Sequence, residues 1–236
     1  VGVFRLDGID DTRDPMGDLG ALLSNHTIAS KNWVYGQYDH MVRDGSVVCP
    51  GSDAAVIRIK ADSLPVTKAE YAGGKAAVTE ACRNLACSGA IPVGSTDNLN
   101  FGNPHNPEIF WQLKESVRGL ADGCRAFSAP VTGGNVSLYN QRGALGAIDP
   151  TPTVAVVGII EKPEHITTQW FKDAGDAILL LGAPVDLADP LQGLGGSAYL
   201  KTRHGLKNGL PPRVDLGVAQ TLHTTLLGLL DDADHR

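Results

Sequence analysis

Two short stretches of this sequence collect the residue types that bind phosphate groups and a divalent metal. The first is STDNLNFGNP at 95–104, and the second is VTGGNVSLYN at 131–140. In each, carboxylate, amide or hydroxyl side chains surround glycine where an apolar run stops. Glycine lets the backbone approach a ligand closely, and carboxylate and amide oxygens suit Mg²⁺. Together the two stretches predict the phosphate site of a nucleotide.

Four residues carry this prediction. Asp97 places a carboxylate after a predicted strand, at the end of a sheet where α/β proteins bind ligands. Gly134 permits close backbone approach, and Asn135 offers a neutral oxygen to Mg²⁺. Ser137 can donate to a phosphate. Ordinary turn chemistry explains each motif alone about as well, because Asp, Asn and Gly are common in turns. The occurrence of both motifs favours the binding site.

The sequence offers no second set of catalytic or metal-binding residues. The seven histidines have no partner at ligand spacing, and His40 is more typical of a packed or capping residue than of a base. GxSxG and HExxH motifs are absent. The four cysteines lack CxxC spacing, so we expect reduced structural thiols. GLGGSAY at 193–199 lacks the spacing of a phosphate-binding loop and predicts a turn.

Composition limits the classes of partner. With 236 residues, of which 42% are hydrophobic and 19% charged, the chain can form one large or two modest α/β domains. A net charge of −6 without a lysine or arginine cluster argues against nucleic acid as a partner. The sequence has no apolar run of about 18 residues and no basic stretch leading into an apolar segment. We therefore predict no membrane association and a cytoplasmic location.

Hydrophobic periodicity places the two motifs in an alternation of strands and helices between residues 47 and 161. Strands are predicted at 47–60, at 92–96, at Val131 and at 152–160, where the continuous apolar run is typical of a strand covered on both faces. Helical patterns occur weakly at 17–40, strongly behind Gly73 and Gly74, and again from Pro107 to Cys124.

Pro163 is predicted to end this alternation. Beyond it, AILLLG at 177–182 predicts the first strand of another domain, and 218–230 predicts a helix packed on that strand. We therefore predict three parts: an arm with a short helix at 1–34, a nucleotide-binding domain at 35–161, and an incomplete C-terminal α/β domain at 162–236. The chain is expected to be a piece of a longer protein.

Six longer runs of the sequence are similar to one known enzyme family. They are IASKNWVYGQYDHMV, PGSDAAVIRIK, GGKAAVTEACRNLACSGAIPVGSTDNLNFGNPHNPEIFWQLKESVRGL, PVTGGNVSLYN, PTPTVAVVGIIE and LGGSAYLK. These runs resemble the phosphoribosylformylglycinamidine synthases over nearly the whole chain. LNFGNP and GNVSLYN favour this family over other enzymes of the same ATP-binding superfamily, such as aminoimidazole ribonucleotide synthase or selenide water dikinase. A nucleotide-binding or structural half without chemistry stays open as a hypothesis from another class.

The resemblance implies a fold and an activity. The fold is the ferredoxin-like N-terminal domain of the aminoimidazole ribonucleotide synthase superfamily, of mixed α+β and α/β class, followed by the start of its C-terminal α/β domain. The activity is a step of purine biosynthesis, the ATP-dependent amidation of formylglycinamide ribonucleotide with glutamine-derived ammonia. Mg²⁺ is the implied cofactor, and a glutaminase subunit or domain is an implied partner.

The resemblance also implies roles for the four motif residues. Asp97 and Gly134 would contact ATP, Asn135 would hold Mg²⁺, and Ser137 would contact the substrate. The family protein has two homologous halves, and this chain resembles the second. Because the family's catalytic histidines lie in the first half, no catalytic residue is predicted here.

The chain departs from the family pattern in two places. After Lys60 it lacks a segment like TTDxNxRY, which borders the nucleotide site in the family, and it ends before the family's SxHDxSEGGL stretch. We therefore expect a site that the missing first half completes, and a chain that is inactive alone.

Overall fold

The computed structural model describes residues 14–26, 28–31, 69–141, 143–182, 195–206, 209 and 211–232. The predicted strand at 47–60 and His40 lie outside these residues. The described helices and strands are α1 (Pro15–Ser24), α2 (Ala69–Cys87), β1 (Ile91–Asn100), α3 (Pro107–Ala126), β2 (Val131–Ser137), β3 (Thr151–Ile159), α4 (Ala198–His204) and α5 (Leu216–Asp231). Short 3-10 turns occur at Gly143–Leu145 and Pro163–His165.

The three described strands form one mixed sheet in the order β2-β1-β3. Strand β1 pairs parallel with β2 and antiparallel with β3. Parallel strands need a crossover connection, and α3 supplies it between β1 and β2. Helices and a mixed sheet together confirm the predicted class of fold.

Both polar motifs begin within strands, and all four predicted site residues lie there, which the sequence did not predict. The strand expected at 92–96 continues to Asn100, and β2 continues through the glycine pair to Ser137. Asp, Asn and Gly have low strand propensity. The pairing between β1 and β2 overrides it, because six residue pairs from Ser95↔Val131 to Asn100↔Ser137 join the two strands.

Helices α2 and α3 cross at glycine positions. We expected Gly73 and Gly74 to precede α2, but α2 begins at Ala69 and contains both. A Cβ added to Gly74 would lie 2.4 Å from the backbone oxygen of Ser116, and one added to Gly119 would lie 2.1 Å from that of Tyr71. Gly74 and Gly119 are therefore both needed for the close approach of the α2 and α3 backbones.

Helix α3 begins as the sequence predicts. Pro107 occupies its first turn, and the Asn106 side chain accepts a hydrogen bond from the backbone N–H of Glu108 at 2.9 Å. This cap satisfies one of the free N–H groups at a helix start.

The hydrophobic core lies between the sheet and helices α2 and α3. Among the described cysteines, Cys82 and Cys124 are buried in it and Cys87 is exposed, and these three form no disulfide with one another. Burial, followed by the nearby Cys124, raises the pKa of Cys82 to about 12. The described core residues are Ala77, Val78, Cys82, Leu99, Phe101, Leu120, Cys124, Ala129 and Val154.

The described residues cover one face of β3 and leave the other exposed. This corrects the prediction of a strand covered on both faces. Val154 is in the core, whereas Val157 and Ile159 are more than half exposed. The alternation follows from the period of a strand, because α2 and α3 pack on one side of the sheet.

The C-terminal segment differs from its prediction. Residues 177–182 form neither helix nor strand and are exposed. A strand requires a hydrogen-bonding neighbour, and no described strand runs beside this segment. Helix α5 forms as predicted but packs on α2 and α3 instead. Its His223 stacks on Phe127 with 4.8 Å between ring centroids, and its Gln220 donates to the backbone oxygen of Ala126.

Helices α1 and α4 also contact each other. Arg203 of α4 forms an ion pair with Asp18 of α1, and Asn25 donates to the hydroxyl of Thr202 at 3.1 Å. No described helix is long and apolar enough to cross a membrane.

Candidate nucleotide site

The two polar motifs lie side by side at the carboxyl ends of β1 and β2. Asp97 is opposite Gly134, Asn98 is opposite Asn135, and Asn100 is opposite Ser137. Neighbouring strands are about 4.8 Å apart. The parallel register therefore sets all four residues that the sequence selected within four consecutive positions of the two paired strands.

Gly134 makes room for Asp97. Its φ is 154°, which L side chains rarely adopt. A Cβ at this position would lie 2.4 Å from the backbone oxygen of Asp97 and 2.8 Å from its Oδ1. Gly133, in contrast, has nothing within 4 Å of a built Cβ. Gly134 is thus required by close contact with a neighbouring strand, which excludes the ordinary glycine turn.

Asp97 has no countercharge among the described residues. Its side chain is partly buried, and this burial raises the pKa of its carboxyl. None of the ion pairs between described residues includes it. A positive charge brought by a ligand would stabilise the carboxylate and reverse that rise.

The site residues divide between the two faces of the sheet. Asp97 lies between Ser95 and Leu99, which are buried beneath the helices, so it belongs to the helix-covered face. Asn135 and Ser137 pair with Asn98 and Asn100. These two residues alternate with Asp97 and Leu99 along β1, so Asn135 and Ser137 belong to the opposite face. We call the opposite face, formed by the rows Asn98–Asn135–Thr153 and Asn100–Ser137–Thr151, the open face. The sequence did not reveal this division because it placed both motifs in loops.

Asn140 fastens the end of β2 to the end of β1. Its Nδ2 donates to the backbone oxygens of Ser137 at 2.9 Å and Phe101 at 3.2 Å, and to Ser137 Oγ at 3.4 Å. The backbone N–H of Phe101 donates in turn to Ser137 at 3.0 Å. Sequence reasoning assigned no role to Asn140, the last residue of the second motif, because nothing in the sequence shows that it contacts the end of β1.

Tyr139, the residue before Asn140, adopts a strained backbone conformation. Its φ is 61°, which costs a non-glycine residue about 1–3 kcal/mol. Its N–H donates to the backbone oxygen of Gly102 at 3.1 Å, and its ring lies 6.2 Å from that of His105. The connections that follow β1 and β2 are therefore held against each other.

The described residues fit Mg²⁺ only in company with a ligand. No group of three or more His, Cys, Asp and Glu side chains in the described part of the chain could hold a metal. Asp97 and Asn135 offer one carboxylate and one amide oxygen, but on opposite faces of the sheet, so one ion cannot bind both. Mg²⁺ is commonly held by one or two carboxylates together with substrate phosphates. Either residue alone therefore suits a metal whose other ligands come from a bound phosphate.

Comparison with known protein families identifies the domain that contains both motifs. Residues 51–160 match the family described as AIR synthase related protein, N-terminal domain. The chain therefore carries a domain of this class, which agrees with the predicted fold.

Comparison with individual proteins identifies the relative. Phosphoribosylformylglycinamidine synthase subunit PurL of Thermosynechococcus vestitus is 48% identical over 226 residues, an alignment covering 88% of this chain and 30% of the relative. The chain is thus a relative of phosphoribosylformylglycinamidine synthase, as the motifs predict, and spans about 30% of that protein's length.

Solved structures of Thermotoga maritima proteins are also similar. PurL complexed with ADP is 33% identical, with 59% of this chain and 25% of that chain covered and a TM-score of 0.45. PurLQS is 32% identical, with 60% and 25% covered and a TM-score of 0.49.

Proposed function

We propose that this chain supplies part of the Mg·ATP and substrate site of a phosphoribosylformylglycinamidine synthase, an ATP-dependent carbon–nitrogen ligase of purine biosynthesis. The observation that carries this proposal is the parallel register of β1 and β2, which sets Asp97 against Gly134 and places Asn135 and Ser137 in adjoining rows. The 48% identity to PurL supports the choice of enzyme.

Each of the four residues has a role that its surroundings suit. Gly134 leaves space beside Asp97, whose carboxylate forms no ion pair with another described residue and would attract the cation that accompanies ATP. The exposed Asn135 amide offers an oxygen to Mg²⁺ on the open face, where the ion would neutralise charge on a bound phosphate. Ser137 presents a hydroxyl to the substrate formylglycinamide ribonucleotide.

The proposed reaction needs positioning more than proton transfer from this chain. The γ-phosphoryl group of ATP passes to the amide oxygen of the substrate, giving ADP and an iminophosphate. Ammonia then adds to the carbon, and phosphate leaves. Preorganised polar groups lower such barriers by stabilising the developing charge. The general base, the first half of the synthase and the glutaminase that releases ammonia are supplied from outside this chain, in the cytoplasm.

Calorimetric titration of the full chain with Mg·ADP tests the nucleotide site. We expect binding that Asp97→Ala weakens at least about tenfold, because it removes an oxygen that faces the nucleotide with its cation. Asn135→Ala removes an oxygen ligand on the open face and should weaken Mg·ADP binding less. Asp173→Ala removes an exposed carboxylate elsewhere and should leave binding unchanged. If the unmutated chain does not bind Mg·ADP, the site assignment is wrong.

An assay of ammonia-dependent amidine formation tests the division of labour. We expect no turnover by this chain alone. Turnover would contradict the proposal that the catalytic residues lie in another half. Mg·ADP binding without any contribution to turnover, when the complementary half of a synthase is added, would favour a structural nucleotide-binding role instead.

A further inference from the structure

The side-chain amide of Asn98 has a fixed orientation. Asn100 Nδ2 lies 3.2 Å from the backbone oxygen of Asn98 and 3.3 Å from that of Thr151. Backbone oxygens only accept hydrogen bonds, so the Asn100 group that faces them is its NH₂. Asn98 Oδ1 lies 2.9 Å from the same NH₂. The Asn98 atom on this side must therefore be its oxygen, since two NH₂ groups cannot bond to each other.

This arrangement leaves the NH₂ group of Asn98 available as a donor. The Asn98 side chain is exposed, and no described residue accepts a hydrogen bond from its Nδ2. Asn98 lies directly opposite Asn135, one row from Ser137 on the open face. Its free donor is thus at the place proposed for substrate and metal.

Ser137 is oriented in the same way by a second asparagine. Asn140 Nδ2 donates to two backbone oxygens, of Ser137 and Phe101, so its NH₂ is fixed, and Ser137 Oγ receives a third contact from it at 3.4 Å. The Ser137 hydroxyl hydrogen can then point to a ligand. Two neighbouring residues of the open face therefore both present donors, which select an oxygen acceptor.

We propose that Asn98 is a further substrate-binding residue, which donates from its NH₂ group to an oxygen of formylglycinamide ribonucleotide, and that Asn100 is a positioning residue that acts through Asn98. This inference rests on the proposed function. It adds a specificity device, because the two neighbouring donors form hydrogen bonds with phosphate or carbonyl oxygens of the substrate. Asp97, on the other face, serves the nucleotide.

Asn98→Asp is the sharpest test because it keeps the oxygen that accepts from Asn100. It replaces the free NH₂ with a negatively charged oxygen. By calorimetry with the full chain, we expect binding of formylglycinamide ribonucleotide to weaken at least about tenfold, whereas binding of Mg·ADP is not weakened. Val157→Asp puts the same charge at an exposed position farther along the open face, opposite Gly94, and should change neither affinity.

A double-mutant cycle separates positioning from support of the fold. Asn100→Ala should weaken substrate binding in the unmutated chain but not in an Asn98→Ala chain, because the amide it orients is then absent. Equal weakening in both would show that Asn100 does not act through Asn98.

The two proposals fail differently. If the unmutated chain binds the substrate and Asn98→Asp binds it equally well, the role of Asn98 is wrong and the proposed function stands. If the unmutated chain binds neither the substrate nor Mg·ADP, both are wrong.

Discussion

Replacing Gly134 with alanine should damage both stability and nucleotide binding. The new Cβ would lie 2.4 Å from the backbone oxygen of Asp97 and 2.8 Å from its Oδ1, where ordinary contacts begin near 3.4 Å. A rarely allowed φ costs about 1–3 kcal/mol, and overpacking costs about 1–3 kcal/mol more. We therefore expect Gly134→Ala to lower the free energy of unfolding by roughly 2–6 kcal/mol. Displacement of the Asp97 carboxylate should also abolish Mg·ADP binding.

Gly133→Ala is the matched control, since its Cβ would meet no atom within 4 Å. It has the same chemistry in the same strand and should change the free energy of unfolding by less than about 1 kcal/mol. Urea unfolding followed by circular dichroism measures both variants, with a constant slope showing that the unfolded states are comparable. Equal destabilisation by the two substitutions would refute the close-contact explanation, and unchanged Mg·ADP binding by Gly134→Ala would refute the assigned role of this strand pair.

Four further predictions concern the helix layer. Gly119→Ala should destabilise the fold by about 2 kcal/mol or more because its Cβ meets the α2 backbone. Gly228→Ala in α5, where a Cβ meets nothing, should stabilise by about 0.5–1 kcal/mol, and thermal unfolding compares the two. Burial, followed by the charge of Arg83, lowers the pKa of His223 from 6.5 to about 4. The unfolded chain therefore binds a proton at His223 more readily than the folded chain does. The contribution of neutral His223 to the free energy of unfolding is fully present above pH 6.5, and it should fall by up to about 3 kcal/mol towards pH 4. Urea unfolding across this range should show the loss in the unmutated chain and not in His223→Leu. Burial raises the pKa of Glu70 above 4.5, so its contribution is lost as pH rises through the raised pKa; Glu70→Gln should raise stability at pH 7, measured in the same way.

Features encoded locally could be predicted from the sequence. Pro107 marks the start of α3 because its missing N–H is not needed there. The apolar spacing of Val78, Cys82 and Leu85 predicts a helix. Val78 and Cys82 are fully buried in the core. The helix at 216–231 has a similarly clear pattern.

Features that depend on distant partners could not be predicted. The sequence alone indicates that Gly74 precedes or interrupts a helix. The structure shows that it lies inside α2 because the backbone of Ser116 in α3 leaves no room for a side chain there. Asp97 looks like part of a loop until β2 pairs with it. The apolar segment at 177–182 looks like a strand, but pairing partners decide whether a strand forms, and none of the described residues supplies them.

The strand conformation of the first motif has a consequence that a loop would not have. Because strand side chains alternate between faces, Asp97 and Asn98 must point in opposite directions, and the partners opposite them in β2 divide in the same way. One strand can then contact a metal-bound nucleotide through one series of side chains and a second ligand through the other. Variants of Asp97 should therefore affect Mg·ADP binding first, and variants of Asn98 or Ser137 should affect formylglycinamide ribonucleotide first. If each variant weakened both ligands equally, the two ligands would have to share one face, and the alternation of β1 could not be the basis of their separation.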